Sequence, residues 1–260
     1  MKVLVTGASG FLGGVVCGEL AGRGHEVKAL VRREGSEPPG TQAMAGDLTD
    51  ARSLGAAIES AAPECVIHLA AEIASQRDPE RIRAVNVDGT RSLIAACESS
   101  GVRRIVFAST VVTGDANGAV LDEETPLPVE TEYGRSKQEG ERLLRESSLE
   151  EVIIRPSHVY GAGGWFVEEF VDRLRQPGRF AVIGSGENWW DVVRVEDVAS
   201  ACADAAERAP AGALYHVVDD QPIHSTTSSP SPRPPLGRDL LGASQHGSPG
   251  SPPAPIRSAR

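Results

Sequence analysis

Two side chains with complementary chemistry stand four residues apart in the segment Tyr-Gly-Arg-Ser-Lys, which ends at residue 137. This spacing places the phenol of Tyr133 and the ammonium of Lys137 on one face of a helix. An ammonium beside a phenol favours the phenolate and lowers the pKa of the phenol, so that the tyrosine can exchange protons near neutral pH. The pair is weak evidence by itself, because chance pairs of this kind are common on exposed helix faces.

Two hydroxyl groups, those of Ser109 and Thr110, stand at the C-terminal end of an apolar strand predicted at residues 104–109. In an open parallel sheet, ligands bind beyond the carboxyl ends of the strands. A hydroxyl there can bind a carbonyl or alcohol oxygen of a substrate and share a proton with the tyrosine. The three kinds of group together indicate acid–base chemistry at a substrate oxygen.

Glycines at a three-residue spacing connect the first apolar strand to the first helix, in the segment Thr-Gly-Ala-Ser-Gly-Phe-Leu-Gly-Gly at residues 6–14. Glycine permits a tight bend, lets the backbone approach a pyrophosphate and allows close packing of helix on strand. The helix N-terminus adds free N–H groups and the positive end of its dipole. The alternative, a tight connection without a ligand, is disfavoured by three glycines in this strand-turn-helix context. The segment therefore predicts a dinucleotide site.

The end of the second predicted strand indicates which dinucleotide is bound. An acidic residue normally holds the adenine ribose 2′-hydroxyl there, but this chain has Arg32 and Arg33. A guanidinium can bind a 2′-phosphate through two hydrogen bonds, whereas a carboxylate would repel it. NADP is therefore predicted in preference to NAD, unless the two arginines are only solvated loop charges. Asp47, after a further predicted strand, could accept a hydrogen bond from the adenine amino group.

Strands and helices alternate through the first 224 residues. Short apolar runs rich in Val and Ile predict strands at residues 2–6, 26–31, 65–69, 104–109 and 152–155. Helical periodicity lies between them, at residues 11–21, 81–99 and 131–147. Less regular segments predict helices at residues 165–175 and near 196–207, a short apolar run at 180–183 and a strand at 214–218. This alternation predicts an α/β fold, a doubly wound parallel sheet of the Rossmann-like type.

The composition excludes several classes of protein. The 260 residues carry 36 acidic and 26 basic side chains, and the net charge of −10 disfavours a nucleic-acid partner, which would need a basic patch. No apolar run is long enough for a membrane span, and no signal-peptide layout precedes the first strand. The four cysteines are far apart without a CxxC pair, which predicts reduced thiols in a cytoplasmic protein and no metal site.

As a set, the motifs resemble the extended short-chain dehydrogenase/reductases, the family of NAD(P)-dependent sugar epimerases, dehydratases and related reductases. The matching segments occur in the order of that family and cover roughly residues 1–220. They are residues 6–13, 46–48, 66–71, 86–90, 107–110, 155–161 and 195–199, together with the pair at 133 and 137. One departure is Thr113, which stands where the family usually has tyrosine, and its smaller side chain predicts a more open substrate side.

The resemblance implies a role for each of these residues. Tyr133 would be the general acid/base, Lys137 would hold the nicotinamide ribose and tune the tyrosine, and Ser109 would orient the reacting oxygen. Ser109 is preferred to Thr110 because it lies five residues before Gly114, which is the family spacing. The nicotinamide and its ribose would be lined by Leu69, Ala70, Ala71, Pro156 and His158, with Asn86 under the cofactor beside the lysine. The other predicted cofactor contacts are Gly7, Ser9, Gly10, Phe11, Leu12, Gly13, Arg32, Asp47 and Leu48.

The predicted function is that of an NAD(P)-dependent epimerase/dehydratase or oxidoreductase, acting at a hydroxyl or ketone carbon of a small molecule such as a sugar nucleotide. The alternatives are a nucleotide-binding regulatory module without catalysis and an inactive truncated product. The latter has support from the C-terminal end. After a dinucleotide-binding domain at residues 1–160, residues 161–224 predict only a partial, incomplete substrate lobe, interleaved with the last elements of the sheet. The Ser/Pro-rich residues 225–260 predict a disordered tail.

A frameshift near codon 224 would explain this abrupt change of composition. A homodimer is expected only by analogy with the family.

Overall fold

The computed structural model describes residues 1–114, 119–164, 189–220 and 223–224 of the chain. Its strands are β1 (Lys2–Thr6), β2 (Glu26–Val31), β3 (Gln42–Ala45), β4 (Cys65–His68), β5 (Arg104–Ala108), β6 (Glu150–Pro156), β7 (His158–Tyr160), β8 (Trp189–Trp190), β9 (Val192–Arg194), β10 (Ala213–Val217) and β11 (Ile223–His224). Seven of these form one sheet in the order β3-β2-β1-β4-β5-β6-β10, and every neighbouring pair is parallel. The predicted doubly wound α/β sheet is confirmed.

Helices cover both faces of this sheet. They are α1 (Phe11–Gly22), α2 (Ala51–Ala61), α3 (Pro79–Ile82), α4 (Gly89–Ser99), α5 (Glu132–Arg145) and α6 (Val195–Arg208), with a π-helix at Arg83–Asp88 between α3 and α4. In β1, Val5 points to the core shared with α1 and α6, whereas Leu4 points to the core shared with α2, α4 and α5. Because both faces are covered, the strands are apolar at successive positions rather than alternating.

A partly buried ion pair joins the end of α1 to α6, which are far apart in the sequence. Arg23, the residue after α1, donates from Nη1 to Oδ1 of Asp204 at 2.6 Å and from Nη2 to Oγ of Ser200 at 2.8 Å. Asp204 is only 1% exposed. Arg23 also donates to Glu19 and Glu207, and Asp204 also accepts from Arg208, so the contact belongs to a charge network that ties the two helices together over 181 residues of chain.

Some predicted elements differ from the observed ones. The helix predicted at residues 81–99 begins two residues earlier, at Pro79, and contains a π-helical stretch at Arg83–Asp88. The helix α2 was not predicted, although Leu54, Ile58 and Ala61 recur on one face and the side chain of Asp50 accepts a hydrogen bond from its first turn. The predicted helix at 165–175, the run at 180–183 and the tail at 225–260 lie outside the described residues.

No helix in the described ranges is long and apolar enough to cross a membrane. Within the same ranges, no group of His, Cys, Asp and Glu has the arrangement of metal ligands, and Cys17, Cys65, Cys97 and Cys202 are buried free thiols.

Candidate functional site

A cavity of about 870 Å³ lies at the carboxyl ends of the central strands, where the strand order reverses on either side of β1. Open α/β sheets bind ligands at this position. All of the site residues predicted from the sequence line the cavity except Asn86. They are Gly7, Ser9, Gly10, Phe11, Leu12, Gly13, Arg32, Asp47, Leu48, Leu69, Ala70, Ala71, Ser109, Tyr133, Lys137, Pro156 and His158. The topology therefore brings together residues that are up to 151 positions apart in the chain.

The glycine loop between β1 and α1 leaves no room for side chains. Gly7 has a φ of +70°, and a Cβ atom there would lie 2.7 Å from the backbone nitrogen of Ala70. A Cβ atom on Gly13 would lie 2.1 Å from the carbonyl oxygen of Gly7. The first turn of α1 contains no acidic residue, and no side chain caps it. Its backbone N–H groups at the cavity are therefore available to an anion from outside the protein. This cradle fits the pyrophosphate of a dinucleotide cofactor.

The ends of β2 and β3 line the cavity beyond the glycine loop. Arg32 is exposed and lines the cavity, whereas its neighbour Arg33 does not. Asp47 accepts hydrogen bonds from both the backbone nitrogen and the hydroxyl of Thr49, at 2.9 and 2.8 Å. These bonds, with a smaller contribution from Arg32, hold the pKa of the Asp47 carboxyl below its usual range. A positive and a negative side chain thus flank this part of the cavity.

Tyr133 and Lys137 both line the cavity from the first turns of α5. Lys137 is 3% exposed, and its Nζ lies 4.1 Å from the centroid of the Phe107 ring. Burial lowers the pKa of Lys137 to about 7 and raises the pKa of Tyr133 to about 12. The predicted lowering of the phenol pKa is therefore wrong for the protein without a ligand, because the loss of solvent around the phenol raises its pKa.

The buried ammonium leads to a prediction about stability. Because the pKa of Lys137 falls from 10.5 to about 7, the unfolded chain binds more protons than the folded one between these pH values, and stability rises with pH across this window. Lys137→Met should therefore raise the Tm of the cofactor-free protein at pH 6 and lose this advantage towards pH 10.5. Thermal unfolding over a pH series measures this. Lys28→Met is the control, because the buried Lys28 ammonium donates to the carbonyl of Ala61 and its loss should lower the Tm. A lower Tm for Lys137→Met at pH 6 would contradict the prediction.

The two candidate hydroxyls at the end of β5 are both buried, but their partners differ. Ser109 donates from Oγ to Oε1 of Glu141 at 2.5 Å. Thr110 accepts at Oγ1 from the backbone nitrogen of Val112 at 2.9 Å, and the same hydroxyl is directed at the carbonyl of Pro156 at 3.4 Å. The Thr110 hydroxyl is thus engaged with the backbone both as acceptor and as donor.

Asn86 lies behind the cavity wall instead of lining it. Its amide donates to the carbonyl of Glu72 and to Oγ of Ser136, both at 2.9 Å, and accepts from the backbone nitrogen of Glu72 at 2.7 Å. It therefore joins the segment after Ala71 to the turn of α5 that precedes Lys137. From this position Asn86 can order the cavity wall, whereas direct contact with a cofactor stays a prediction.

The residue that departs from the family pattern does not open the cavity. Thr113 is 1% exposed, its hydroxyl donates to the carbonyl of Pro128, and it packs against Gly134. A Cβ atom on Gly134 would lie 2.9 Å from that of Thr113. The expected widening of the substrate side at this position is thus wrong, because the side chain is directed at the start of α5 and Val112 lines the cavity in its place.

Several lining residues were not predicted. One group follows Ala71 in the segment after β4: Glu72, Ile73, Ala74 and Ser75, with Arg81, whose Nε lies 2.7 Å from Oε1 of Glu72. Another is Ser157, whose buried hydroxyl has no hydrogen-bond partner in the structure. A buried hydroxyl without a partner costs about 1–3 kcal/mol, so a bound polar group is expected beside it. Ser157 stands in the sequence between Pro156 and His158, two predicted cofactor contacts, and this position could have identified it as a lining residue. An amide such as that of nicotinamide would supply the missing hydrogen-bond partner.

Comparison with known proteins gives consistent matches over this region. The model of the NAD dependent epimerase/dehydratase family matches residues 3–218. The 3-diazoavenalumate denitrifying reductase of Streptomyces sp is 32% identical over an alignment of 235 residues, with coverages of 85% of this chain and 77% of the relative. The 2-alkyl-3-oxoalkanoate reductase of Stenotrophomonas maltophilia is 32% identical over 244 residues, with coverages of 86% and 72%.

Solved structures of similar proteins have the same fold. The UDP-glucose 4-epimerase of Thermus thermophilus, in complex with NAD, is 29% identical, with a TM-score of 0.76 over 86% of this chain and 80% of that one. The enzyme WbmG of Bordetella bronchiseptica, in complex with NAD and UDP, is 25% identical, with a TM-score of 0.75 over 86% and 74%. The range of the family model, residues 3–218, contains all of the residues that line the cavity.

Proposed function

Because the chain belongs to the NAD dependent epimerase/dehydratase family, we propose that it is an NAD(P)-dependent enzyme that oxidises or reduces a small molecule at a hydroxyl or ketone carbon. One observation carries this proposal. A single cavity is lined at one side by the glycine loop and at the other by Ser109, Tyr133 and Lys137. When bound, the nicotinamide cofactor supplies or accepts the hydride.

The chain's own residues supply the proton and the orientation. Tyr133 donates a proton to the carbonyl oxygen in the direction of reduction and takes it back in the direction of oxidation. Its raised pKa keeps the phenol protonated at neutral pH in the ligand-free protein, which is the form required for reduction. Lys137 binds the cofactor ribose and brings a positive charge to the same helix face. Ser109 orients the reacting oxygen.

Relatives of known activity divide between two net outcomes. The first two curated relatives are named as reductases, and another, of Escherichia coli, is named as a 4-epimerase. A panel containing a 2-alkyl-3-oxoalkanoate and UDP-glucose, each with NADPH, NADH or NAD, separates these outcomes. Net loss of the reduced cofactor indicates a reductase, and an isomerised sugar without net loss indicates an epimerase.

The same panel tests the two alternatives. A non-catalytic regulatory module would bind the cofactor and give no turnover with any substrate. An inactive truncated product would also fail to turn over, and extension of the coding sequence in another reading frame near codon 224 should then restore activity. The enzyme is favoured because both Tyr133 and Lys137 are present and line one cavity. A cytoplasmic location and a homodimer stay predictions.

We further propose that the cofactor is NADP in preference to NAD. The proposal rests on Arg32, which lines the cavity at the end of β2 where a carboxylate would select the 2′-hydroxyl. The named structural relatives are NAD complexes, so they do not support this choice.

Arg32→Ala should weaken NADPH binding by about tenfold to 100-fold and leave NADH binding nearly unchanged, because it removes charge-assisted hydrogen bonds to the 2′-phosphate. Cofactor fluorescence titrations measure both affinities. Arg33→Ala is the matched control, since this neighbouring arginine is exposed but does not line the cavity, and it should leave both affinities unchanged. Equal losses for NADPH and NADH in Arg32→Ala would contradict NADP selection.

A further inference from the structure

The ammonium of Lys137 lies over an aromatic ring at the wall of the cavity. Its Nζ is 4.1 Å from the centroid of the Phe107 ring, which is the distance of a cation–π contact. Both side chains are buried, with Phe107 1% and Lys137 3% exposed. Among the residues that the structure describes, no hydrogen bond or ion pair reaches this Nζ. The face of the ring is therefore the contact that compensates the charge for part of its lost hydration.

The ring of Phe107 is confined by two neighbours. Gly140 lies three residues beyond Lys137 on α5, and a Cβ atom there would lie 2.7 Å from Cζ of Phe107 and 3.2 Å from its Cε1. Any other residue at position 140 would displace the ring. On β4, His68 is paired with Phe107, and the centroids of the two rings are 5.5 Å apart. The helix that carries the ammonium therefore also provides the space for the end of the ring.

Two causes set the pKa of Lys137. Burial lowers it, and the negative charge of Glu141, one turn further along α5, raises it. The Glu141 carboxylate is itself bound by Arg155 of β6. Of the titratable groups nearby, Tyr133 has a pKa raised to about 12 and His68 has a pKa lowered to about 3, so both are uncharged at neutral pH. The contact with the ring acts in the same direction as Glu141, since it favours the charged form.

Three further elements pack against α5, namely α3, the π-helix and α4, and their arginines act on other groups. Arg81 of α3 pairs with Glu72. Arg83 of the π-helix and Arg91 of α4 both act on the carboxylate of Glu139. The acidic residues of these elements are all exposed: Glu80, Asp88 and Glu98. None of the three elements therefore supplies a buried countercharge to the ammonium.

We propose that Phe107 is a positioning residue whose ring holds the Lys137 ammonium at the cavity wall and stabilises its charged form for the cofactor ribose. This inference rests on the proposed function, in which Lys137 binds that ribose. An uncharged amine is not attracted to the electrons of the ring in this way, so the ring favours the cation. Without the ring, Lys137 should lose its proton at a lower pH. Phe107 therefore extends upwards the pH range in which the charged side chain is available.

The test uses the fact that the chain has only three lysines, Lys2, Lys28 and Lys137. The protein is labelled with ¹³C at the lysine ε carbon, and NMR follows the three signals without cofactor from about pH 5 to pH 11. Lys137→Met assigns one signal by its absence. In Phe107→Leu, the titration midpoint of the Lys137 signal should fall by about 0.5–1 pH unit, and the other two lysines should keep their wild-type curves.

Ile105→Val is the matched control, because Ile105 lies two residues before Phe107 on β5 and packs in the same core. It should lower the Tm and leave the midpoint of Lys137 unchanged. If Phe107→Leu does not fold, a phenylalanine fluorinated at both Cδ positions replaces Phe107, since fluorine withdraws electrons from the ring face and these positions lie away from Gly140. An unchanged or raised midpoint, or an equal shift in Ile105→Val, would overturn the inference.

A second measurement connects the contact to the cofactor. Fluorescence titration with NADH, which has no 2′-phosphate to titrate, gives the affinity at pH 6 and pH 8. Phe107→Leu should weaken NADH binding about threefold to tenfold at pH 8 and less than about twofold at pH 6, as a midpoint lower by 0.5–1 pH unit requires. A midpoint that moves in the NMR experiment while the affinity stays unchanged at both pH values would overturn the link to the cofactor, and with it the proposed role of Lys137. An unmoved midpoint concerns Phe107 alone and leaves the proposed function intact.

Discussion

A Tyr133→Phe variant is expected to lose about 10²–10⁴-fold in kcat and to keep its affinity for NADPH. The change removes one hydroxyl from a side chain that lines the cavity and leaves the aromatic ring, the helix and Lys137 in place. Without the phenol, the substrate oxygen loses its proton donor in the direction of reduction. Steady-state kinetics give kcat, and a fluorescence titration gives the cofactor affinity.

Tyr160→Phe provides the control for this experiment. Its phenol also has a pKa raised to about 12 by burial, and it is directed at Asp219 outside the cavity lining. Removal of that hydroxyl should change kcat by less than about twofold. If Tyr133→Phe retains full turnover, the acid/base assignment is wrong, and Lys137 with its pKa of about 7 becomes the next group to test.

Gly13→Ala is expected to lower cofactor affinity by more than about 100-fold, since a loss of about 2.7 kcal/mol corresponds to that factor. The new methyl carbon would lie 2.1 Å from the carbonyl oxygen of Gly7 and 2.7 Å from Cα of Ala8. Both contacts are with backbone, which cannot rotate away as a side chain would. The loop must move, and the N–H groups of α1 then no longer face the pyrophosphate.

The adjacent glycine offers a matched control of opposite sign. A Cβ atom on Gly14 meets nothing within 4 Å, and Gly14 lies inside α1. Gly14→Ala should therefore leave cofactor binding intact and stabilise the protein by about 0.5–1 kcal/mol through helix propensity. Titration and thermal unfolding of both variants check the pair. If the two variants bind the cofactor with similar affinity, the close contact at Gly13 does not determine cofactor binding.

The sheet and the glycine loop were predictable because their signals are local. A strand such as β1 is apolar at successive positions because both of its faces are covered. The spacing of the glycines indicates a turn, and the whole signal lies within the nine residues 6–14. The π-helical stretch within the helix at residues 81–99 was not predictable in this way. It contains Asn86, whose side chain bonds to Glu72 and Ser136 in two other segments.

The protonation and hydrogen bonding of the site residues were less predictable than which residues line the cavity. The spacing of Tyr133 and Lys137 correctly indicated one helix face, but the degree to which the fold removes water from them decides their pKa values. Similarly, the choice between Ser109 and Thr110 depends on the direction of each hydroxyl, which Glu141 and the backbone of Val112 determine. The bond between Ser109 and Glu141 links residues 32 positions apart and leaves no mark on local periodicity.

The ion pair between Arg23 and Asp204 has a consequence for synthesis on the ribosome. The helix that follows the glycine loop is made well before α6, which covers the same face of the sheet and contains the partner of Arg23 181 residues later. Until α6 has left the exit tunnel, the apolar residues of β1 and α1 on that face lack their cover. This face therefore depends on late, long-range closure, and the segment of β1 and α1 is a site where chaperones are expected to bind during translation.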